Sequence, residues 1–414
     1  MRLEGRNDGN YRKGQNMTKA EEKLNLETIP VGSLAIIALA GCKELGAKVD
    51  KYLVEWRTAR ESEHKESLAF AGYQRDTYLL KAKVPRFGTG EAKGVIEESV
   101  RGTDLFLLVD VVNHSLTYHL FGIENHMSPD DHYQDLKRII SAVGGKARRI
   151  TVFMPFLYES RQDTRTARES LDCAIALQEM ARMGVDNIIT FDAHDPRVEN
   201  AIPLHGFETI RPTYQFVKAL LRNERGLKFD NEHLMIISPD EGGMSRAIYM
   251  ADVLKLDMGM FYKRRDYTKL VNGRNPVIAH EFLGSNVEGK DMIIVDDMIS
   301  SGESALEVAR ALKDRKAARI FVCASFGLFT NGLSVFDRAF EEGIIDRVLT
   351  TNLVYQSPEL LEREWYESCD MSKYIAYLID TLNHDASISG LLSPNDRIAH
   401  AVSGYMGKGE ENEK

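Results

Sequence analysis

Short apolar runs alternate with amphipathic segments along most of the 414-residue chain. Candidate strands are the run LAIIAL near the start and seven later segments: Leu105–Val112, Ile150–Met154, Asn187–Phe191, Leu234–Ile237, Met292–Val295, Ile320–Ala324 and Arg347–Thr350. Helical patterns lie between them, namely the run CKELGAKVDKYLV and the segments Asp131–Val143, Ala167–Met183, Gly242–Leu254 and Glu303–Lys313. Such alternation predicts parallel sheets with crossover helices, and therefore an α/β fold.

The strand and helix pattern occurs twice, which predicts two similar sheets joined around residues 205–225. ITVFMPF, a helix and NIITFDAHD form one unit, and LMIISPDEGG, a helix, DMIIVDDM, a helix and RIFVCASF form the second. The predicted organisation is a mobile N-terminal tail over residues 1–30, a first domain over 31–210, a second domain over 211–370, a C-terminal helix over 371–395 that packs back on the first domain, and a polar tail over 396–414. Either Met1 or Met17 is the start residue.

Composition narrows the class of protein. With 43% hydrophobic and 28% charged residues, the chain has the composition of an ordinary globular protein. A net charge of −9 argues against a general nucleic-acid surface, so any phosphate binding must come from local cationic clusters. No apolar run approaches the roughly 20 residues of a membrane span.

The four cysteines, Cys42, Cys173, Cys323 and Cys369, lie far apart in the chain and form no C-x-x-C pair. This spacing argues against a zinc site or a disulfide framework and favours a reducing cytoplasm. The histidines His114, His119, His126 and His132 also lack the i, i+4 spacing of a helical ligand pair. The chain therefore predicts neither a disulfide-stabilised nor a zinc-stabilised protein.

The segment IIVDDMISSGES, residues 293–304, follows a buried strand with small residues that lead into a helix. A loop of this kind directs backbone N–H groups and a helix N-terminus towards one point, which suits a phosphate dianion. The hydroxyl groups of Ser301 and Ser304 can add hydrogen bonds. The alternative is a plain helix cap in which Ser301 is the capping residue.

Two adjacent carboxylates, Asp296 and Asp297, precede this loop. Carboxylates within the phosphate pocket would repel the phosphate, so these two are expected to face a neutral group with paired donors. A ribose diol meets that requirement. The segment is therefore interpreted as a sugar-phosphate site.

Six blocks resemble, in the same order, the ribose-phosphate diphosphokinase family, whose members have type I phosphoribosyltransferase folds. The blocks are PRFGTGEAKGVIEESVRGTDLFLLV at 85–109, RITVFMPFLYESRQD at 149–163, IITFDAHD at 188–195, ISPDEGGMSRA at 237–247, YKRRD at 262–266 and VEGKDMIIVDDMISSGES at 287–304. The resemblance implies two phosphoribosyltransferase-like domains, each a mainly parallel sheet flanked by helices. It also implies a magnesium-dependent homo-oligomer, a dimer or hexamer, that moves diphosphate from ATP to O1 of ribose 5-phosphate.

The resemblance further implies roles for individual residues. Lys263 and Arg265 would be the catalytic pair, on a loop that closes over the site, and His194 and Asp240 would hold Mg²⁺ on the nucleotide. The residues that would bind ATP are Phe87, Glu91, Arg161, Gln162 and His194. Those that would bind ribose 5-phosphate are Asp296, Asp297, Ser300, Ser301, Gly302 and Ser304. Without the resemblance, each has an ordinary interpretation: a solvated cationic face, a structural histidine, a turn-forming aspartate, a surface arginine or a core phenylalanine.

Several positions depart from the family pattern. Thr89 stands where an Asp is usual, Ser300 replaces an Asp, Glu303 a Gly and Ser304 a Thr. The carboxylate of Glu303 opposes a bound phosphate unless it points to solvent. Insertions over residues 55–80 and 113–128 have no assigned role.

Three functions remain open at this point. The first is the diphosphokinase, and the second is a homologue of little or no activity that binds nucleotide and regulates a partner. The third is a phosphoribosyltransferase that consumes phosphoribosyl diphosphate, against which the two sheets and the RQD and KRR blocks argue.

Overall fold

The computed structural model describes residues 29–60, 72–265 and 277–412, and for 263–265, 277–280 and 407–412 this description covers the backbone alone. The predicted N-terminal tail lies outside these ranges except for its last two residues. Part of the insertion over 55–80 also lies outside them.

The strands are numbered in chain order. They are β1 (Ser33–Ala38), β2 (Ala82–Lys83), β3 (Val95–Ile96), β4 (Thr103–Leu108), β5 (Thr117–Leu120), β6 (Ile123–His126), β7 (Arg149–Phe153), β8 (Asn187–Phe191), β9 (Gly206–Ile210), β10 (Leu234–Ser238), β11 (Met258–Arg265), β12 (Val277–Leu283), β13 (Asp291–Ile299), β14 (Ile320–Gly327), β15 (Arg347–Thr351) and β16 (Tyr366–Cys369).

The helices connect and cover these strands. They are α1 (Lys43–Ala59), α2 (Pro129–Val143), α3 (Asp172–Arg182), α4 (Thr213–Asn223), α5 (Met244–Leu254), α6 (Glu303–Asp314), α7 (Ser334–Glu341), α8 (Pro358–Leu361), α9 (Ser372–Asn383), α10 (Ser389–Leu392) and α11 (Asn395–Asn412). Short 3₁₀ turns occupy Ala40–Cys42 and Pro196–Ala201.

Two mainly parallel sheets organise the fold, which confirms the predicted α/β class. The first has five strands in the order β1-β4-β7-β8-β9, all paired in parallel. The second has seven strands in the order β12-β11-β10-β13-β14-β15-β16, in which the β11–β12 pair is antiparallel and the other pairs are parallel. Every residue of β4, β10 and β14 is buried, as expected for strands covered on both faces.

The C-terminal region departs from the sequence-based prediction. The stretch predicted as a polar tail over 396–414 contains most of α11, which continues to Asn412. Ile398 is buried, Val402 and Tyr405 pack against the same core, and Tyr405 Oη donates to the carbonyl oxygen of Glu224 at 2.8 Å. Apolar residues at i, i+4 and i+7 form this contact face, and the many polar residues between them hid that period.

Helix α9 packs against the first sheet although it follows the second sheet in the chain. Its side chains Ile375, Ala376 and Ile379 belong to the same buried cluster as the strands of the first sheet. The side chain of Trp56 in α1 stacks on Tyr377 with ring centroids 4.3 Å apart. Helix α9 thus connects the second sheet, which precedes it in the chain, to the core of the first sheet.

A buried charged network fixes this contact between α1 and α9. Arg57 donates from Nε and Nη2 to Asp380 Oδ1, both at 3.0 Å, and from Nη2 to Asn383 Oδ1 at 2.7 Å. Arg60 Nη1 donates to Asp380 Oδ2 at 2.6 Å. Burial alone would raise the pKa of Asp380, but Arg57 and Arg60 hold it below its usual value. Asp380 is therefore ionised and paired in the folded protein.

Replacing Asp380 tests the strength of this contact. We expect Asp380→Asn to lower the free energy of unfolding by about 3 kcal/mol or more, because the buried guanidinium of Arg57 and the partly buried one of Arg60 lose their counter-charge. The stabilisation should be present above the ordinary pKa of an aspartate and be lost as the pH falls through the lowered pKa of Asp380. Thermal or urea unfolding between pH 7 and pH 3 measures both effects.

The matched control is Asp385→Asn, which changes a carboxylate that is 78% exposed and 3.4 Å from Arg149. This variant should differ from the parent by less than about 1 kcal/mol. Equal losses in the two variants would show that the buried network contributes nothing beyond a surface charge.

Candidate active site

The carboxyl ends of strands from both sheets meet at one place. The residue after β8 of the first sheet, Asp192, contacts α5 and β14 of the second half, and His194 contacts β13. Ligands of open α/β sheets bind beyond such strand ends. This shared edge is the candidate active site.

Arg246, on the buried face of α5, is the centre of the site. Its Nε donates to Asp192 Oδ1 at 2.8 Å, and its Nη2 lies 3.4 Å from Asp297 Oδ2. Nη2 also donates to the carbonyl oxygens of Ala193 and His194, at 3.1 and 3.3 Å. Burial would lower the pKa of Arg246, but the two carboxylates raise it above its usual value. A charged guanidinium therefore joins one loop of the first sheet to one strand of the second.

Asp192 is held in a strained conformation at the end of β8. Its φ of 41° lies in the left-handed region, which costs free energy for a residue other than glycine. Its Oδ2 accepts a 2.6 Å hydrogen bond from Ser325 Oγ, while its Oδ1 accepts from Arg246. Burial raises the pKa of Asp192, and these two partners oppose that rise. The partners therefore stabilise both the charge and the backbone conformation of Asp192.

His194 and Asp297 form a pair across the two halves. His194 Nδ1 lies 2.9 Å from Asp297 Oδ2. The hydrogen bond to Asp297 is the main cause of a raised pKa for His194, and burial opposes it. Burial would raise the pKa of Asp297, but His194 and Arg246 lower it below its usual value. With Nδ1 directed at the carboxylate, Nε2 of the neutral ring is the nitrogen that can bind a metal ion, as in other histidine–carboxylate pairs.

Asp296 has a different environment from its neighbour. It is half-buried, and its Oδ1 accepts the backbone N–H of Asp297 at 2.9 Å. Burial raises the pKa of Asp296 well above its usual value, and the negative charges of Asp297 and Asp240 add to the rise. A cation or a donor-rich ligand beside Asp296 would relieve this concentration of negative charge.

Asp240 lies in the loop between β10 and α5 and shapes the turn that leads into α5. Its Oδ1 accepts the N–H groups of Gly242 and Gly243, at 2.9 and 3.2 Å. A side chain at Gly243 would place its Cβ 3.0 Å from Ser238 Oγ, so the turn fits glycine best. Asp240 is therefore a turn former in this structure, as its position before two glycines indicates.

The oxygen and nitrogen donors near these residues suit Mg²⁺ better than a metal ion that is bound by protein side chains alone. Carboxylate oxygens from Asp240 and Asp296 lie close enough for their charges to interact, and His194 Nε2 faces away from Asp297. Among the residues that the structure describes, no group of three or more His, Cys, Asp or Glu side chains is arranged to hold a metal ion by itself. Mg²⁺ keeps several waters and takes phosphate oxygens, so few protein ligands are needed.

The loop after β13 leads directly into the N-terminus of α6. Gly302 has a φ of 88°, and a Cβ there would lie 2.3 Å from the ring of Phe336, so only glycine fits. Gly302 is the residue that precedes the first turn of α6, one residue after the Ser301 of the helix-cap alternative. The N–H of Glu303 donates to Ser301 Oγ at 3.4 Å, as in the helix-cap alternative. The other N–H groups of a first helical turn have no partners within the helix and can bind an anion. The side chain of Glu303 is exposed at this position.

Arg161 and Gln162, which are predicted to bind ATP, lie on a loop beside His194. Arg161 is exposed, and Gln162 Nε2 donates to the carbonyl oxygen of Ser170 at 2.8 Å. The charge of Asp163 helps to raise the pKa of His194, which places this loop beside the site.

Phe87 and Glu91 lie in a separate turn. Phe87 is 52% exposed, and its N–H donates to the carbonyl oxygen of Glu91 at 2.7 Å. Thr89 Oγ1 donates to Glu91 Oε2 at 3.2 Å. Within the described ranges, no hydrogen bond or ion pair links this turn to the His194 cluster.

Lys263 and Arg265 lie in β11, which pairs with β12. Their side chains and the predicted loop after them fall outside the described residues. Their proposed catalytic roles therefore stay predictions.

Sequence reasoning did not single out Arg246, Asp192 or Ser325 as site residues. One signal was available, because Arg246 occupies an apolar position in the helical period of α5, with Ala247, Met250 and Leu254. A cation on the buried face of a helix requires buried counter-charges.

Comparison with known proteins places the chain in a family. The model of the N-terminal domain of ribose phosphate pyrophosphokinase matches residues 34–184, and that of the phosphoribosyl transferase domain matches residues 207–334. A ribose-phosphate pyrophosphokinase of Shewanella oneidensis is 30% identical over 321 residues, which cover 76% of this chain and 91% of the relative. The chain belongs to the ribose-phosphate pyrophosphokinase family.

Other relatives of the pyrophosphokinase family agree with this assignment. The enzyme of that name from Pasteurella multocida is 28% identical over 320 residues, covering 76% of this chain and 92% of the relative. The crystal structure of phosphoribosylpyrophosphate synthetase from Mycobacterium smegmatis aligns with a TM-score of 0.67 at 19% identity, covering 86% of this chain and 100% of the other. At that identity the structural likeness supports the two-sheet fold.

The pair of His194 and Asp297 makes a spectroscopic prediction. We expect Asp297→Asn to lower the pKa of His194, because the main cause of its raised pKa is removed. Titration of the His194 ring resonances by NMR measures the change.

Asp230→Asn is the matched control, since it removes the carboxylate of another pair, in which His233 Nδ1 lies 2.7 Å from Asp230 Oδ1. This variant should leave the titration of His194 as in the parent. An unchanged His194 pKa in Asp297→Asn would contradict the described pairing.

Proposed function

We propose that the protein transfers the terminal diphosphate of ATP to O1 of ribose 5-phosphate, giving phosphoribosyl diphosphate and AMP. The observation that carries the proposal is the shared edge where His194 of the first sheet meets Asp297 of the second. Asp240 and the loop that ends in Gly302 lie at the carboxyl ends of neighbouring strands β10 and β13. This arrangement supports a nucleotide and a sugar phosphate bound next to each other.

Ribose 5-phosphate is assigned to the loop between β13 and α6. Its phosphate would accept hydrogen bonds from backbone N–H groups at the start of α6, with the small side chains of that loop around it. Its hydroxyl groups would donate to Asp296, whose raised pKa reflects burial and neighbouring negative charge. The predicted ribose contact of Asp297 is reassigned, because its carboxylate faces His194 and Arg246. The residues assigned to the phosphate are Ser300, Ser301, Gly302 and Ser304.

ATP is assigned to the side of His194. His194 Nε2 and Asp240 are the groups that would hold Mg²⁺, which supplies neutralisation of charge on the diphosphate. Arg161 and Gln162 lie on the loop beside His194, and Phe87 and Glu91 would contact adenine from a second subunit of a homo-oligomer. The exposed ring of Phe87 supports that last role, because a base can stack on it.

The reaction is a displacement at the β-phosphorus of ATP. The O1 oxygen of ribose 5-phosphate forms a bond to the β-phosphorus, the bond from that phosphorus to the α,β-bridging oxygen breaks, and the O1 proton is released. AMP leaves with the bridging oxygen. Lys263 and Arg265 are assigned to stabilise the charge that develops on the transferred diphosphate. Four buried free cysteines support a reducing compartment, such as the cytoplasm, for this activity.

A regulatory homologue without turnover is the second candidate. It is favoured by Glu303, which places a carboxylate at the first residue of α6, next to the proposed phosphate. The exposure of that side chain instead favours the enzyme, because the carboxylate can point to solvent.

Product analysis tests the proposed reaction. We expect protein given ATP, Mg²⁺ and ribose 5-phosphate to form AMP and phosphoribosyl diphosphate in equal amounts, visible by phosphorus NMR. Chelation of Mg²⁺ should stop the reaction. Lys263→Ala, prepared in parallel, should be slower by about 10³-fold, which excludes a contaminating enzyme. ADP as the main product would point to an ordinary kinase, and binding without turnover would support the regulator.

Asp296→Asn tests the assignment of the sugar. It should weaken ribose 5-phosphate binding by roughly tenfold or more, because charged acceptors form stronger hydrogen bonds than amide oxygens. ATP affinity should change much less. Isothermal titration with each ligand separately gives both numbers.

Glu303→Gln makes the same chemical change at the exposed first residue of α6. We expect it to alter ribose 5-phosphate affinity by only a few-fold, roughly within 1 kcal/mol. If Asp296→Asn weakened ATP instead of the sugar phosphate, the assignment of the diol would be wrong.

A further inference from the structure

A second cavity lies in the first half of the protein, away from the candidate active site. Its volume is 330 Å³, and its walls come from the end of β1, the first residue of α1, the segment 82–86, the base of the β5–β6 hairpin and one face of α2. We call it the hairpin cavity. The residues of the His194 cluster do not line it. Its size is that of a site for a small molecule.

Most of the wall is apolar. Ile37 and Ile139 form the buried part of it, and Val84, Leu116 and Met127 form the half-buried rim. Leu116 and Met127 flank the hairpin and belong to the insertion over 113–128, which departs from the family pattern. The inserted hairpin thus completes a cavity that would otherwise be open on that side.

The charged groups of the cavity are mostly cationic. Lys43, Lys83 and Arg86 face a single carboxylate, Asp135. Arg86 Nη2 donates to Asp135 at 3.2 Å, and Lys83 pairs with Glu97. Within the ranges that the structure describes, Lys43 has no hydrogen bond or ion pair from its side chain. A cation without a counter-charge therefore remains for an anionic ligand.

His132 adds a hydrogen-bond acceptor. Its Nε2 lies 2.8 Å from the carbonyl oxygen of Asn113, which can only accept, so Nε2 carries the proton. Burial lowers the pKa of His132, and the ring is therefore neutral near pH 7. Nδ1 is then an acceptor, and no hydrogen bond joins it to another residue of the described part. A ligand with an N–H or O–H group would satisfy it.

We propose that the hairpin cavity is a second small-molecule site, which takes an anion with an apolar body and one hydrogen-bond donor. The apolar walls contact the body, Lys43 pairs with the anion, and His132 accepts from the donor. The site does not depend on the proposed transferase reaction, because none of the residues assigned to ATP, Mg²⁺ or ribose 5-phosphate lines it.

The fluorescent probe 1-anilinonaphthalene-8-sulfonate has all three features: a sulfonate, a flat aromatic body and an N–H group. We expect it to bind the full-length protein saturably. Lys43→Gln should weaken its binding roughly two- to fivefold, as for an exposed charge pair, and Lys43→Glu should weaken it further. Leu116→Trp should weaken it about tenfold or more by filling the cavity.

Lys51→Gln is the control, since it removes a lysine that is 77% exposed on the same helix, outside the cavity. It should bind the probe as the parent does. Ribose 5-phosphate and AMP together should not displace the probe. Absence of saturable binding, equal affinity in Lys43→Glu and Lys51→Gln, or displacement by ribose 5-phosphate and AMP would each overturn the proposal. The substitutions at Lys43 and Lys51 change exposed side chains, so the test does not depend on the folding of Leu116→Trp.

Discussion

The buried guanidinium of Arg246 between two carboxylates is the interaction on which the site depends. Asp192 and Asp297 are both buried, and isolated charges in such positions would be very costly. Arg246 compensates both, and its hydrogen bonds to main-chain oxygens fix the loop that carries His194. Removal of the cation would leave Asp192 with Ser325 and Asp297 with His194 but without the guanidinium charge between them, at a cost of about 3–5 kcal/mol. The relative position of the two sheets at the site therefore follows from one charge balance.

The same principle operates at the opposite connection between the halves. Arg57 lies in α1 and Arg60 directly follows it, and both donate to Asp380 of α9. A second buried network thus holds α9 against the first half of the protein. Buried ion pairs contribute less to stability than their Coulomb energy implies, but they tolerate few alternative arrangements. Two such networks suit a protein whose site needs residues from both sheets in one geometry.

Sequence reasoning succeeded where local chemistry determines structure. Short apolar runs predict most strands of the two sheets, but β9, β12 and β16 are not among the predicted strands. The reasoning did less well where long-range contacts decide. Asp297 looked equivalent to Asp296 in the chain, yet successive residues of a strand point to opposite faces, so the two carboxylates meet different partners.

Helix α11 and Arg246 illustrate the same limit. The sparse apolar residues Ile398, Val402 and Tyr405 have a helical period, but only their contacts with α4 and α5 make that period meaningful. Arginine is a residue type that usually lies at the surface. Arg246 is buried because Asp192 and Asp297, which come from strands far apart in the chain, compensate its charge. Neither set of partners can be identified from the neighbouring sequence.

A crystal structure with Mg²⁺, a non-hydrolysable ATP analogue and ribose 5-phosphate would test most directly whether one site spans the two sheets. We expect the sugar phosphate at the N-terminus of α6 with its hydroxyl groups at Asp296, and the metal-bound nucleotide on the side of His194 and Asp240. Asp297 should still contact His194 and Arg246. Nucleotide phosphates at the N-terminus of α6, or a sugar hydroxyl on Asp297 in place of His194, would contradict this arrangement.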